Sequence, residues 1–218
     1  MYWSDDEENL QFPTSSVLDV IYKIEGKTLP TNALSAIALS LTDQLEGWDN
    51  LENVALHLML GGEEGNGWYR DRNPDSVLYI SRRTKLVLRV EQDKLHHFSF
   101  LSNCELDVQG HKVKFVHKHN KNLQHSETLY SQHVISEFEN ELEFLENIKQ
   151  QLQNMNVNCK KILCGKSREL MLNCGKVYTR SLMLNELSKE DSLTLLTKGL
   201  GHSQKQGCGV FVPYKSIS

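Results

Sequence analysis

The sequence predicts an α+β protein made of two successive βαββαβ units, that is, two ferredoxin-like (RRM-like) domains in tandem, with a glycine-rich loop near the carboxyl end. Three observations predict it. The 218 residues, 39% hydrophobic and 24% charged, are enough for one large domain or two small ones with a real core. The C-terminal half reads strand, helix, strand, strand, helix, strand. The N-terminal half repeats that order.

The first unit spans 16–116, after an acidic segment 1–15. "SVLDVIYKIEG" (16–26) is a strand, and "TNALSAIALSLTDQL" (31–45) a helix with Pro30 and Thr31 at its start. "NVALHLML" (53–60) is a strand, followed by the long loop "GGEEGNGWYRDRNPDS". "VLYISRRTKLVLRV" (77–90) is a strand with a break near Arg82-Arg83-Thr84. "EQDKLHHFSFLS" is a short helix, and "CELDVQGHKVKFV" a hairpin about Gln109-Gly110. The polar, basic stretch 117–127 reads as a linker.

The second unit spans 128–218. "TLYSQHVIS" (128–136) has strand character. Residues 137–155 place Phe138, Leu142, Leu145, Ile148 and Leu152 at helical spacing. Strands 157–165 and 176–184 follow, joined by the turn-like "LNCGK". Ser188, with Asp191 three residues on, caps a helix that stops at Gly199. "CGVFVPY" is the last strand.

Composition narrows the function. No apolar run reaches the eighteen or so residues of a membrane helix, and the acidic N-terminus lacks a signal-peptide pattern, so a cytoplasmic location is expected. Five scattered cysteines without Cys-x-x-Cys spacing, and histidines without a helical His-x-x-x-His pair, predict no metal and no cofactor. The net charge of −4 conceals strong asymmetry. Asp5, Asp6, Glu7 and Glu8 are acidic, and residues 137–155 hold five glutamates and one lysine. Residues 111–122 hold four lysines, three histidines and no acid; from 157 onward ten Lys or Arg face four acids. Such basic segments suit a polyanion, although a charged surface is usually just a solvated surface.

Two stretches point further. Ferredoxin-like sheets frequently bind RNA on an open face. Alternation puts Arg83, Lys85 and Arg89 on one face of strand 77–90, where a solvated strand is the other reading. "GLGHSQKQGCGVF" spends Gly199, Gly201, Gly207 and Gly209, four of thirteen glycines, on one loop. Glycines let backbone amides approach an anion closely, and Lys205 adds charge. The loop does not match the Walker pattern, which argues against nucleotide binding.

These blocks together resemble the CRISPR repeat-processing endoribonucleases of the Cas-six family. "GLGHSQKQGCGVFVP" carries the likeness. "GNGWYRDRNPDSVLYISRRTKLVLRV", "KKILCG", "YTRSLML" and "LPTNALSAIALSL" are similar to its Cmx, myxobacterial-type subgroup. The resemblance runs from about residue 17 to 217. It implies an enzyme that binds the stem-loop of a CRISPR repeat transcript and cuts once at its 3′ base without metal. The upstream 2′-hydroxyl attacks, leaving a 2′,3′-cyclic phosphate and a 5′-hydroxyl. It also implies that the protein stays bound to the guide RNA beside other CRISPR effector subunits. The alternatives are a weak or inactive hairpin-binding subunit, and a tandem module that binds only protein.

Relatives carry a catalytic histidine at the first helix, but this chain reads Leu29-Pro30-Thr31-Asn32-Ala33 there. His57, on the next strand, is the nearest candidate general base. The expected RNA contacts are Arg82, Arg83, Lys166, Arg168, Arg180, Gly199, Gly201, His202, Lys205, Gly207 and Gly209. His96, His97 and His111 are weaker candidates, and Trp48, Trp68 and Tyr69 suit either base stacking or the core.

Overall fold

The computed structural model describes residues 16–60, 77–102 and 104–214. Loop 61–76, with Trp68 and Tyr69, and the acidic segment 1–15 lie outside the described residues.

Two antiparallel sheets stand in tandem. In the first unit, β1 (Val17–Glu25) is followed by the short β2 (Thr28–Pro30), α1 (Ala33–Gln44), β3 (Ala55–Met59), β4 (Val77–Tyr79), β5 (Lys85–Glu91), a 3-10 stretch Gln92–Leu101, β6 (Glu105–Val108) and β7 (His111–Asn122). The sheet order is β3-β5-β1-β7-β6, the ferredoxin-like arrangement with one added edge strand. In the second unit, β8 (Thr128–Ile135), α2 (Glu141–Asn154), β9 (Lys161–Cys164), β10 (Arg168–Leu172), β11 (Gly175–Asn185), α3 (Lys189–Lys198) and β12 (Val212–Pro213) repeat the pattern. β8 lies between β11 and β12, and both β9 and β10 pair with β11.

Alternation decides which strand face meets what. On β1, Leu18, Val20, Tyr22 and Ile24 join Leu86, Leu88 and Val90 of β5 in a core closed by Ala33, Ala36, Ile37 and Leu41 of α1. Ile37 and Leu41 stand one helical turn apart and are fully buried. Each such side chain contributes roughly 1.5–3 kcal/mol. The second core packs Phe144, Ile148 and Leu152 of α2 and Leu195 and Leu196 of α3 on Leu129, Val134, Leu182 and Leu184.

Where β3, β5 and β1 meet, the opposite face of the first sheet does not open to solvent. Val17, Ile21, Ala55, Val87 and Arg89 are all buried there. Arg89 donates from Nη1 to the carbonyls of Leu196 and Phe211, each at 2.8 Å, which ties β5 to the second unit. Its charge is met by Asp19, with Nε–Oδ1 2.8 Å and Nη2–Oδ2 3.1 Å. Of the basic residues expected to share one RNA-facing strand face, Arg89 is therefore 2% exposed where the two units dock, whereas Arg83 is exposed on the turn before β5 and Lys85 is half-buried.

Other departures have local causes. The expected strand 77–90 is two strands, because Ser81 and Thr84 close a turn around Arg82 and Arg83 (Thr84 N–Ser81 O 3.1 Å). β4 leaves the main sheet to pair with β2. The expected linker 117–127 is strand up to Asn122, hydrogen-bonded to β1 through a bulge between Ile21 and Tyr22. α2 begins at Glu141, not 137, since the Asn140 side chain caps it by accepting from Leu142 N at 2.8 Å. That start rotates the stripe: Phe144 is buried and Leu142 is 69% exposed. Among the described residues no helix is long and apolar enough to cross a membrane.

Candidate functional site

A cleft of about 120 Å³ lies between the two units. Its walls include the start of α1, His57 on β3, Tyr130 and His133 on β8, Leu170 on β10, and Gly207 of the glycine loop.

α1 supplies its amino end. The first amides of a helix have no intrahelical acceptor, and the Asn32 side chain does not take them. Asn32, Ala33, Leu34 and Ser35 all line the cleft. A helix start of this kind favours anions.

His57 pairs with Val87 across β3 and β5, on the same sheet face as Arg89. Part of the residue reaches solvent, but Nε2 itself is buried with no hydrogen-bond partner. Loss of hydration pushes its pKa down to about 4; the Arg89 charge adds to this and the Asp19 charge opposes it. At neutral pH the imidazole is therefore uncharged and its ring can accept a proton.

The second unit adds two groups. His133 sits where β8 slips register against β11, between the pairs Ser131–Leu182 and Val134–Arg180. Its Nδ1 is 3.0 Å from Thr179 Oγ1, and its carbonyl accepts from Gly209 N at 2.6 Å. Tyr130 packs its ring 6.1 Å from that of Tyr214. Burial raises the Tyr130 pKa, against a hydrogen bond with Ser181 and the charge of Arg168.

The glycine loop is a spacer between these walls. Gly199, Gly201, Gly207 and Gly209 all have positive φ. A Cβ on Gly209 would collide with Leu200 O, and one on Gly207 with the Leu34 side chain near the start of α1. The loop closes on itself through Leu200 N to Gly209 O (3.0 Å). Its glycines thus hold α1, β3 and β8 at close range.

The expected RNA contacts divide into two groups. Arg82 and Arg83 stand exposed on the β4–β5 turn, Lys166 and Arg168 are exposed at the β9–β10 connection, and His202 is exposed in the loop. Arg180 and Lys205 are withdrawn from solvent and held by backbone carbonyls. Arg180 is 6% exposed; it donates to Gly165 O (3.1 Å) and Glu139 O (2.6 Å) and lies over the Phe144 ring. It is bound there because β11 turns it toward the core, where the carbonyls of Gly165, just after β9, and Glu139, before α2, take its donors. Lys205 Nζ donates to Trp48 O (2.6 Å) and Asp49 O (2.9 Å), 5.3 Å from the Trp48 ring centre. Burial lowers the Lys205 pKa. Trp48 is a core residue, 2% exposed. His96 and His97 stack on each other at 4.0 Å, and His111 is bonded to Thr28 Oγ1 at 2.8 Å, all outside the cleft.

Sequence reasoning missed Tyr130 and His133. Strict alternation separates positions 130 and 133, and only the register slip brings both to the cleft. Among the described residues no group of three or more His, Cys, Asp or Glu is placed to hold a metal ion.

A family model described as Cas6 Crispr matches residues 18–216. The chain belongs to the Cas6 family. Solved structures agree on the fold. One, titled a RAMP protein binding different RNA substrates, superposes with a TM-score of 0.57 at 13% identity, covering 91% of this chain and 99% of that one. A Cas6-related protein from Pyrococcus furiosus gives 0.56 at 13%, covering 90% and 98%. Thermus thermophilus Cse3, bound to an RNA representing a pre-cleavage complex, gives 0.50 at 11%, covering 90% and 98%. At these identities the likeness is one of fold, the tandem ferredoxin-like architecture of Cas6 proteins. No curated protein matched the chain in sequence.

Proposed function

We propose that this Cas6 protein is an endoribonuclease that binds the repeat stem-loop of precursor CRISPR RNA and cuts it without metal. The sequence blocks named above support a place in the Cmx subgroup and continued residence on the guide RNA beside other effector subunits. The observation that carries the reading is the cleft, which the uncapped start of α1 and a neutral histidine, His57, line together.

The chemistry follows from those groups. Cleavage by a neighbouring 2′-hydroxyl needs a base for that hydroxyl, donors for the phosphorane charge and an acid for the leaving 5′-oxygen. Neutral His57 is the acceptor. The amides of the first turn of α1 face the phosphate oxygens. Arg82, Arg83, Lys166, Arg168 and His202 contact the flanking backbone, and the loop glycines keep the walls close. The products are a 2′,3′-cyclic phosphate and a 5′-hydroxyl.

One observation favours a second reading, a hairpin-binding subunit that cuts slowly. A base whose pKa is about 4 is a weak one at neutral pH. A labelled repeat RNA, incubated with the protein in EDTA and run on a denaturing gel, separates the two. Rapid single cutting, lost by ~10²-fold or more in His57→Ala, supports the enzyme. Tight, salt-sensitive binding without cutting supports the subunit. Binding indifferent to salt refutes both, because phosphate contacts release counterions.

A further inference from the structure

The ribbon of β2 and β4 stands beside the cleft, and the reading above gives it no task. Leu29 and Leu78 pair across it and turn inward. Leu29 is buried, and Leu78 lines the cleft with Thr31 and Asn32. Alternation then sends Tyr79, next to Leu78, to the outer face. It is 81% exposed, and its ring stacks on no other described ring. A single exposed apolar side chain is ordinary. The setting of Tyr79 is not.

Three features set it apart. The first is charge. Residues 27–42 and 77–90 contain no Asp or Glu, but they hold Lys27, Arg82 and Arg83. These three are exposed and make no ion pair with a described residue. Lys23, Lys94, Lys161 and Lys176, by contrast, each pair with a glutamate. The second is rigidity. Ser81 N donates to Oγ1 of buried Thr84 at 2.9 Å, and Arg83 N to Ser81 Oγ at 3.2 Å, which fixes the turn that carries both arginines. On the other side of Tyr79's strand end, Ile80 N donates to Lys27 O at 3.0 Å. The third is position. Tyr79 pairs with Thr28, and Thr28 stands only four positions before Asn32 at the start of α1. Four residues span at most about 14 Å.

We propose that Tyr79 is a stacking platform for one unpaired base of the repeat RNA, next to the stem. The ring receives the base on its face, and Lys27, Arg82 and Arg83 hold the phosphates on either side. This deepens the proposed function and rests on it in either of its forms, because both bind the stem-loop. The chemistry selects the occupant. Cations with no acid among them suit a polyanion. An aromatic face beside such cations holds a single strand without reading its sequence, since every base has a π-face. A base inside a stem already stacks on its neighbours, so the occupant is single-stranded. The site therefore adds affinity for the unpaired flank of the repeat, and it sets the direction in which that flank leaves the cleft.

The test is equilibrium binding, read by fluorescence anisotropy, of repeat RNA whose upstream 2′-hydroxyl is replaced by hydrogen so that no cut occurs. One RNA carries the stem-loop with its unpaired flanks; the other is trimmed to the stem-loop alone. The proposal expects Tyr79→Ala to weaken binding of the flanked RNA by ~5–150-fold, the worth of one stacked base. The trimmed RNA should bind the variant and the parent alike. Tyr79→Phe, which keeps the ring, should match the parent on both. When flank nucleotides are made abasic one at a time, one position should weaken the parent as Tyr79→Ala does and add nothing in that variant. Arg82→Gln and Arg83→Gln should each lower the slope of log affinity against log salt by about 0.7, whereas Tyr79→Ala leaves it unchanged. Equal weakening on both RNAs, no weakening on either, additive losses at every abasic position, or unchanged slopes in both arginine variants overturns the proposal and leaves the proposed function standing. Binding by the parent that is indifferent to salt overturns both.

Discussion

The Asp19–Arg89 pair gives the sharpest stability prediction. Its side chains are 15% and 3% exposed, and the guanidinium makes two bonds to the carboxylate and two to carbonyls of the second unit. Arg89→Met removes all four. Asp19 is left as a nearly buried unpaired charge, and Leu196 O and Phe211 O lose their donor. Breaking a buried pair from one side costs about 3–5 kcal/mol. In a chain of this length each kcal/mol lowers Tm by roughly 2–4 °C, so the drop is about 6–20 °C. Thermal melts followed by circular dichroism at neutral pH measure it. The double variant Asp19→Leu, Arg89→Met should recover about half the loss, because an apolar pair removes the stranded charge but not the orphaned carbonyls. A melt of Arg89→Met within about 2 °C of the parent would refute the reasoning, since the docking of the two units would not depend on the pair.

Two further predictions concern His57 and the glycines with positive φ. His57 has its folded pKa near 4 against 6.5 unfolded, so below 6.5 the unfolded chain binds a proton that the folded one refuses. Its stabilising effect is therefore complete above 6.5 and is lost as pH falls toward 4, by up to about 3 kcal/mol; urea titrations across that window should show His57→Gln with a shallower loss than the parent, and parallel curves would contradict the assignment. Gly209→Ala should destabilise far more than Gly110→Ala, although both have positive φ, because Gly110 has open space and Gly209 meets Leu200 O. The left-handed backbone alone costs roughly 1–2 kcal/mol, which Gly110→Ala should show, and equal losses in the two variants would be contrary evidence.

Much of the fold was legible because local signals were strong. The Ser188 cap and the Gly199 stop bound α3 as the sequence predicts, with Ser188 Oγ accepting from Asp191 N at 3.1 Å. Alternating apolar residues in β1 and β5 marked both strands. What was not legible depended on long-range contact. Arg89 reads as a surface strand residue until the second unit is docked on it. Arg180 and Lys205 read as free cations, but carbonyls distant in sequence claim them. Of the site, His57 was within reach because no histidine stands nearer to the first helix. His133 was hidden by a register slip, which no residue pattern in "TLYSQHVIS" announces. The glycine loop was recognisable as special, but its reason is partly steric: two strand ends and a helix start crowd against it.

The central claim is that the scissile phosphate lies in the cleft between the two units. A structure with a repeat RNA whose upstream 2′-hydroxyl is replaced by hydrogen tests it directly. The account predicts one phosphate against the first turn of α1, between His57 and His133. An ordered RNA held elsewhere, on the Arg82–Arg83 turn for example, with no nucleotide entering the cleft, would contradict it.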